Sequence, residues 1–400
     1  KIVTRLSLFP GSRRTYSLAL DRLGRVYFDH NRYQEALEKL QQANQIFIQN
    51  NHLLVASSNL TVQGVVYDAM EDYIASAQAY QHSNELLNQL DNKPFGTISA
   101  NAYNLGLLYL DRLGDPERAL PFFAEALEND RLDGGEDNFY LGDDYKMLSL
   151  AALKLGDLSL AESRARMSVS HFESIRQETS PQMATSKLQL ALVLHARGKV
   201  DQAVALAEQA LAILIDSENE RKTDLRRPMA QTYNQLGYHQ TTLGLWPEAT
   251  ESFAQAARLA KALGRDIFLL ESLRGSLKLH LLMNQPDEAR LAWLELQGIL
   301  ESKFAEAKVL RLEQQLNSLR IDFAKGYRPE QLLTSLDELI LRASDLKAAG
   351  EVLFGALELK FKVLKVGDLE LSLAEAKASV RHMIDLIRII QQDRVGMINS

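Results

Sequence analysis

Residues 233–256 read YNQLGYHQTTLGLWPEATESFAQA, and this stretch decides the fold. Tyr233, Leu236 and Gly237 lie on one helical face. Leu243-Gly244-Leu245-Trp246 supplies a break, and Ala249, Phe253 and Ala256 return at helical spacing. That is one helix, a turn and a second helix folded back on the first. The same order appears at Leu23-Gly24, Tyr27, Asn31-Arg32-Tyr33, Ala36, Leu40 and Ala43. It appears again at Asn104, Leu105, Gly106, Tyr109, Leu113-Gly114-Asp115, Ala119, Phe123 and Ala126, with one extra residue before the alanine.

Working outward, the small residue of the second helix recurs along the whole chain. Ala36, Ser76, Ala119, Ala161, Ala203, Ala249, Ala289, Leu332 and Ser372 follow at steps of 40, 43, 42, 42, 46, 40, 43 and 40 residues. Leu332 is the one large member. A period of that length signals stacked repeats, each packing only on its neighbours. The glycine of the first helix and the alanine of the second let two backbones approach. Tyr27, Tyr67, Tyr109, Phe123 and Phe253 are expected to fill the space they leave. The pairs Gly114-Asp115, Gly156-Asp157 and Gly367-Asp368 fit a helix stopped by glycine and a new one capped by aspartate.

The pattern resembles the tetratricopeptide repeat, strongly at Gly24, Gly64, Gly106 and Gly237, fairly around Ser149 and Ala191, and weakly after Leu277. The period exceeds the family's usual one, so longer helices are expected. Longer repeats of this kind resemble those of multidomain signalling and transcription regulators. The expected fold is all-α, a right-handed α-solenoid of about nine antiparallel helix hairpins forming a single array over residues 1–400. Its units are placed at 16–55, 56–97, 98–140, 141–182, 183–228, 229–268, 269–311, 312–351 and 352–394, with a capping helix at 371–391. Because the first residue is Lys1 rather than methionine, the chain is expected to be a piece of a longer protein.

Composition fits this reading. Hydrophobic residues make up 46% and charged residues 24%, ordinary for a folded chain, and nine prolines leave room for long helices. A formal net charge of −7 gives no general attraction to nucleic acid or to an anionic membrane. With no cysteine there are no disulfides, thiolate metal sites or cysteine nucleophiles. No apolar run reaches the ~18 residues that span a bilayer, and the compartment expected is the cytoplasm.

The sequence carries no phosphate-binding glycine loop and no histidine pair at metal spacing, so neither enzyme chemistry, cofactor nor metal is expected. The acidic stretch from Asp130 to Asp144 lacks the ligand alternation of a calcium loop, because Leu132 and Gly134 occupy ligand positions, and reads as a solvated connector. Arg221-Lys222 and Arg226-Arg227 read as an exposed inter-repeat loop.

The resemblance implies that the first helix of each unit faces a concave wall. Carried over unit by unit, the wall comprises Asp21, Arg25 and Phe28; Thr61, Val65 and Asp68; Tyr103, Leu107 and Leu110; Lys146, Leu150 and Leu153; and Leu188, Leu192 and His195. Asn234, Tyr238 and Thr241 follow, then Arg274, Lys278 and Leu281, then Asn317 and Ile321. Its middle is apolar, and two readings stand: an open groove for a peptide, or core closed by tight packing of long helices. The family's carboxylate clamp is incomplete here, since Asp143 and Met147 stand where cations are needed.

The expectation is therefore a non-enzymatic scaffold or sensor module of a larger, bacterial regulatory protein. Its partner would be a protein, a peptide or another domain of the same full-length chain. The alternative is a receptor for a small ligand or signalling peptide that tightens on binding.

Overall fold

In the computed structural model, residues 13–221, 223–264, 266–303, 308–344 and 350–366 are described. They form seventeen α-helices, with no strand among the described residues. The fold is an all-α repeat solenoid. First helices are α1 (Arg13–Asp29), α3 (Leu53–Ala69), α5 (Phe95–Leu107), α7 (Leu141–Leu155), α9 (Pro181–Ala196), α11 (Arg226–Leu243), α13 (Asp266–Leu282), α15 (Lys308–Ala324) and α17 (Gly350–Val366). Second helices are α2 (Tyr33–Gln49), α4 (Tyr73–Asn88), α6 (Pro116–Gly134), α8 (Leu158–Ser174), α10 (Val200–Arg221), α12 (Trp246–Leu263), α14 (Pro286–Lys303) and α16 (Pro329–Ser344). Eight complete hairpins and the first helix of a ninth are thus described. The expected capping helix at 371–391 and the Gly367-Asp368 turn lie outside the described residues.

Hairpins close by the glycine and alanine logic of the sequence. Ala36, Ala119, Ala161, Ala203, Ala249 and Ala289 are all fully buried. A Cβ on Gly106 would come within 2.5 Å of the Phe123 ring, and one on Gly237 within 2.8 Å of Phe253. Phe123 and Phe253 fill these spaces as expected. Tyr27, Tyr67 and Tyr109 instead stay half-buried, and Tyr109 stacks on Phe122 at 5.4 Å. The turns also follow their chemistry: Gly156 adopts φ +81°, and the Asp157 side chain accepts from the Leu160 N–H at 2.9 Å.

The chain divides into two compact units, one reaching Ser217 and one starting at Glu218. In the first, the extra residue before Ala119 is absorbed as a π-turn at Leu108–Arg112, with Leu113 N–H donating to Leu108 C=O at 3.0 Å. Buried polar side chains link its helices: Asn59 Nδ2 of α3 donates to Asp21 of α1 at 2.7 Å, and Asn101 Nδ2 of α5 donates to Asn84 of α4 at 2.8 Å.

The acidic stretch corrects the connector expectation at both its ends. Helix α6 runs to Gly134 and α7 starts at Leu141, so Asp130 and Asp144 are helical residues packed face to face, and Asp144 is only 1% exposed. Of the basic run, Arg221 ends α10 and Arg226 and Arg227 open α11, where Arg226 pairs with Asp224 at 2.7 Å; Lys222 lies outside the described residues. In the second unit, Leu312, Leu316, Leu332, Leu336, Leu339 and Ala356 form one core cluster. Phe253, Ala249 and Leu279 form another.

Candidate functional site: the inner groove of the second unit

Three first helices of the second unit, α13, α15 and α17, pack in sequence, and Tyr238 of α11 extends their row. Together they line a groove of about 990 Å³. Leu270, Leu277, Leu281 and Phe323 give it apolar ground. Seven charged side chains border that ground: Glu271, Arg274 and Lys278 on α13, Glu313 and Arg320 on α15, and Glu358 and Lys362 on α17.

Helical periodicity explains why charges and leucines share this wall. Residues 270, 274, 277, 278 and 281 fall three and four apart, so they form one stripe of α13. Several groups are held by neighbours. Arg274 Nη2 meets Glu313 Oε1 at 2.6 Å, tying α13 to α15. Lys362 Nζ donates to Glu358 at 2.7 Å. The Tyr238 hydroxyl donates to the Glu271 carbonyl at 3.1 Å, and its ring meets Phe253 edge-on at 5.1 Å. Burial pushes the Tyr238 phenol up to about 12. Burial also holds the Glu271 carboxyl above its ordinary range, with Arg274 pulling the other way. The Arg320 guanidinium is lowered by burial, opposed by Glu358 and Glu313.

Of the expected wall residues, Tyr238, Arg274 and Lys278 line this groove together with Leu281 and Asn317. Asn234 is 0% exposed and lies beneath it, donating to the Phe268 carbonyl at 3.2 Å. Ile321 is also buried. Spacing alone did not single out Glu271, Glu313, Arg320, Glu358 and Lys362. Glu271 and Arg320 sit one turn from expected positions on their own helices, and α17 follows the region where the repeat pattern fades.

In the first unit the expected residues divide. Leu110 (1% exposed) and Leu188 (5%) are core, so packing removes them from any partner-facing wall. Tyr103, Leu107 and Leu150 are half-buried against the cluster of Phe123 and Met147. Leu153, Leu192 and His195 are half-buried as well. Arg25 pairs with Asp21 at 2.9 Å, and Phe28 lies 5.9 Å from the Tyr33 ring. Lys146 is bonded to Asp143 and, at 3.2 Å, to Thr185.

Among the described residues no helix is long and apolar enough to cross a membrane. No group of three or more histidine, aspartate or glutamate side chains could hold a metal there.

Residues 101–131 and 183–215 each match a family model described as tetratricopeptide repeat. Among solved structures, the apo form of RapI is similar over 94% of this chain and 98% of its own, with TM-score 0.61 at 14% identity. The apo form of the quorum sensor NprR from B. thuringiensis is similar over 90% of this chain and 99% of its own, with TM-score 0.60 at 14% identity. BtubC from P. vanneervenii covers 59% of this chain and 92% of its own, with TM-score 0.50 at 20% identity. Identities this low establish a shared fold. Two of its hairpins thus match tetratricopeptide-repeat models, and the chain shares the helix-hairpin solenoid fold of these neighbours.

Proposed function

We propose that this chain is a non-catalytic receptor that holds a peptide or extended protein segment in the inner groove of its second unit, as the scaffold or sensor module of a larger regulatory protein. The observation that carries the reading is the groove itself. The half-buried Leu281 and Phe323 and the exposed Ile267 and Leu282 supply area to be desolvated, and the charges around them supply register and selectivity. Its size fits an extended ligand. Inner helices about 10 Å apart give a wall roughly 20 Å long across α13, α15 and α17, and about seven extended residues cover that length. The fold shared with a quorum sensor is a precedent for sensing on this architecture, while the reading rests on the groove.

Binding of immobilised random heptapeptides to the full chain tests it. Leu281→Asp puts an unpaired charge on the apolar ground and is expected to abolish binding while the helical signal and melting temperature stay near wild type. Leu192→Asp, in the first unit, is expected to leave binding in place. The opposite result, with Leu192→Asp silencing the chain and Leu281→Asp harmless, moves recognition to the apolar wall of the first unit and ends the claim for this groove.

A further inference from the structure

Much of the groove's charge is already spoken for, and what is left over has a sign. Arg274 is engaged by Glu313 and Lys362 by Glu358. Lys278 makes no ion pair among the described residues. Arg320 is half-buried, and its one hydrogen bond among the described residues is a long 3.4 Å contact from Nη1 to Asn317 Oδ1. A guanidinium offers five N–H donors, so most of this fork has no partner among the described residues. The remaining acid, Glu271, accepts from Gln235 at 3.2 Å and is itself biased by burial toward its neutral form. Glu358 and Glu313 act on Arg320 only from a distance, each being bound to another cation, so among the described residues the groove holds a cation taken partly out of water without a counter-charge of its own, a state that costs stability unless an anion completes it.

The backbone also comes close to that cation. Gly355 of α17 is buried, and a Cβ there would lie 2.8 Å from both Arg320 Nη2 and Leu316 Cδ2. Any side chain at that position would push the guanidinium away from α17. Its planar fork matches a carboxylate in a way an ammonium cannot, since two parallel N–H bonds reach both oxygens.

Building on the peptide reading, we propose that the groove selects peptides bearing a carboxylate, which docks on the Arg320 guanidinium above Gly355 while Lys278 supplies a second positive charge from the neighbouring helix. The carboxylate comes from the peptide's C-terminus or from an aspartate or glutamate side chain. The site differs from the family's clamp, whose cationic positions in this chain fall on Asp143 and Met147.

Three forms of one random heptapeptide array decide the matter with the unaltered full chain: free C-termini, amidated C-termini, and amidated C-termini with Asn and Gln in place of Asp and Glu. The carboxylate-free form should bind weaker by on the order of 30-fold. The amidated form, acting like the first or like the third, identifies the source as side chain or chain end. Arg320→Gln should level the three forms. Gly355→Ala keeps every charge but displaces the guanidinium, and it should reduce the preference too.

Equal binding of all three forms by the wild-type chain overturns the inference. If that binding is still lost in Leu281→Asp, the peptide reading survives alone. A preference for carboxylates that persists in folded Arg320→Gln also overturns it. If no form binds at all, the peptide reading fails and this inference falls with it.

Discussion

Phe253 is held between two glycines: Gly237 of its own hairpin, and Gly275 of the next first helix, where a Cβ would come within 2.2 Å of the ring edge. This ring therefore joins two repeats as well as closing one. An alanine is worth about 1 kcal/mol over glycine in a helix interior, yet a methyl forced against a fully buried ring costs about 1–3 kcal/mol. Gly275→Ala is thus expected to lower stability by about 1 kcal/mol net. Gly298, exposed on α14 with nothing within 4 Å of its Cβ position, is expected to gain about 0.5–1 kcal/mol as alanine. Urea unfolding of both variants checks the pair, and equal shifts of one sign would contradict the packing argument. The Gly237 and Phe253 partnership was legible because both lie within one hairpin at fixed spacing. The part played by Gly275 was not, since it depends on how the next hairpin is rotated, which spacing does not specify.

At the scale of elements, the α6–α7 junction carries the largest difference between reading and structure. The extra residue before Ala119 was visible in the sequence, but its storage in a π-turn was not, because helix and π-turn share the same residues. The acidic stretch was visible as charge, yet charge alone does not tell which carboxylates a helix turns inward. Asp144 is pushed up to about 9, first by burial and then by the neighbouring Asp130, with Lys146 opposing. Asp130 is raised by burial too, and accepts from Ser99. The folded chain therefore retains a proton that the unfolded chain, with the ordinary aspartate value of 3.8, releases. Folding takes up that proton between the two values, so stability is fully present below about pH 4 and declines as pH rises toward about 9. The decline from this group is bounded by about 1.4 kcal/mol per pH unit for one proton. Asp144→Asn keeps a donor for Asp130 and removes the titration. Its melting temperature is expected to match wild type near pH 4 and to exceed it increasingly from pH 5 to 8. A difference that stays constant across that range would show that Asp144 is ionised in the folded chain.

For the whole molecule, the repeat period and the helix-hairpin plan could be read directly, because every unit restates its own packing rule. The site was only partly legible. Hydrophobicity along the first helices pointed to an apolar wall around Leu107, Leu150 and Leu188, where stacking buries leucines as core, as at Leu188. The groove of the second unit is recognisable only when α13, α15 and α17 stand side by side, since its charges belong to helices some 40 residues apart in sequence. The division at Ser217 and Glu218 falls within the longest step of the period, the 46 residues from Ala203 to Ala249, but spacing alone does not say that a longer step divides the array. Repeats hold to their neighbours alone, so two compact clusters of contacts can unfold as two cooperative units. Both tryptophans, Trp246 and Trp293, belong to the second unit, so fluorescence reports on that unit while circular dichroism reports on all helices. Phe172 is fully buried in the first unit and Phe253 in the second, and truncating either to alanine costs about 3–5 kcal/mol. In guanidinium, Phe253→Ala is expected to move the fluorescence midpoint down. Phe172→Ala is expected to advance the loss of helical signal while the fluorescence midpoint stays in place. Equal movement of both signals in both variants would mean that the helices unfold as one cooperative body.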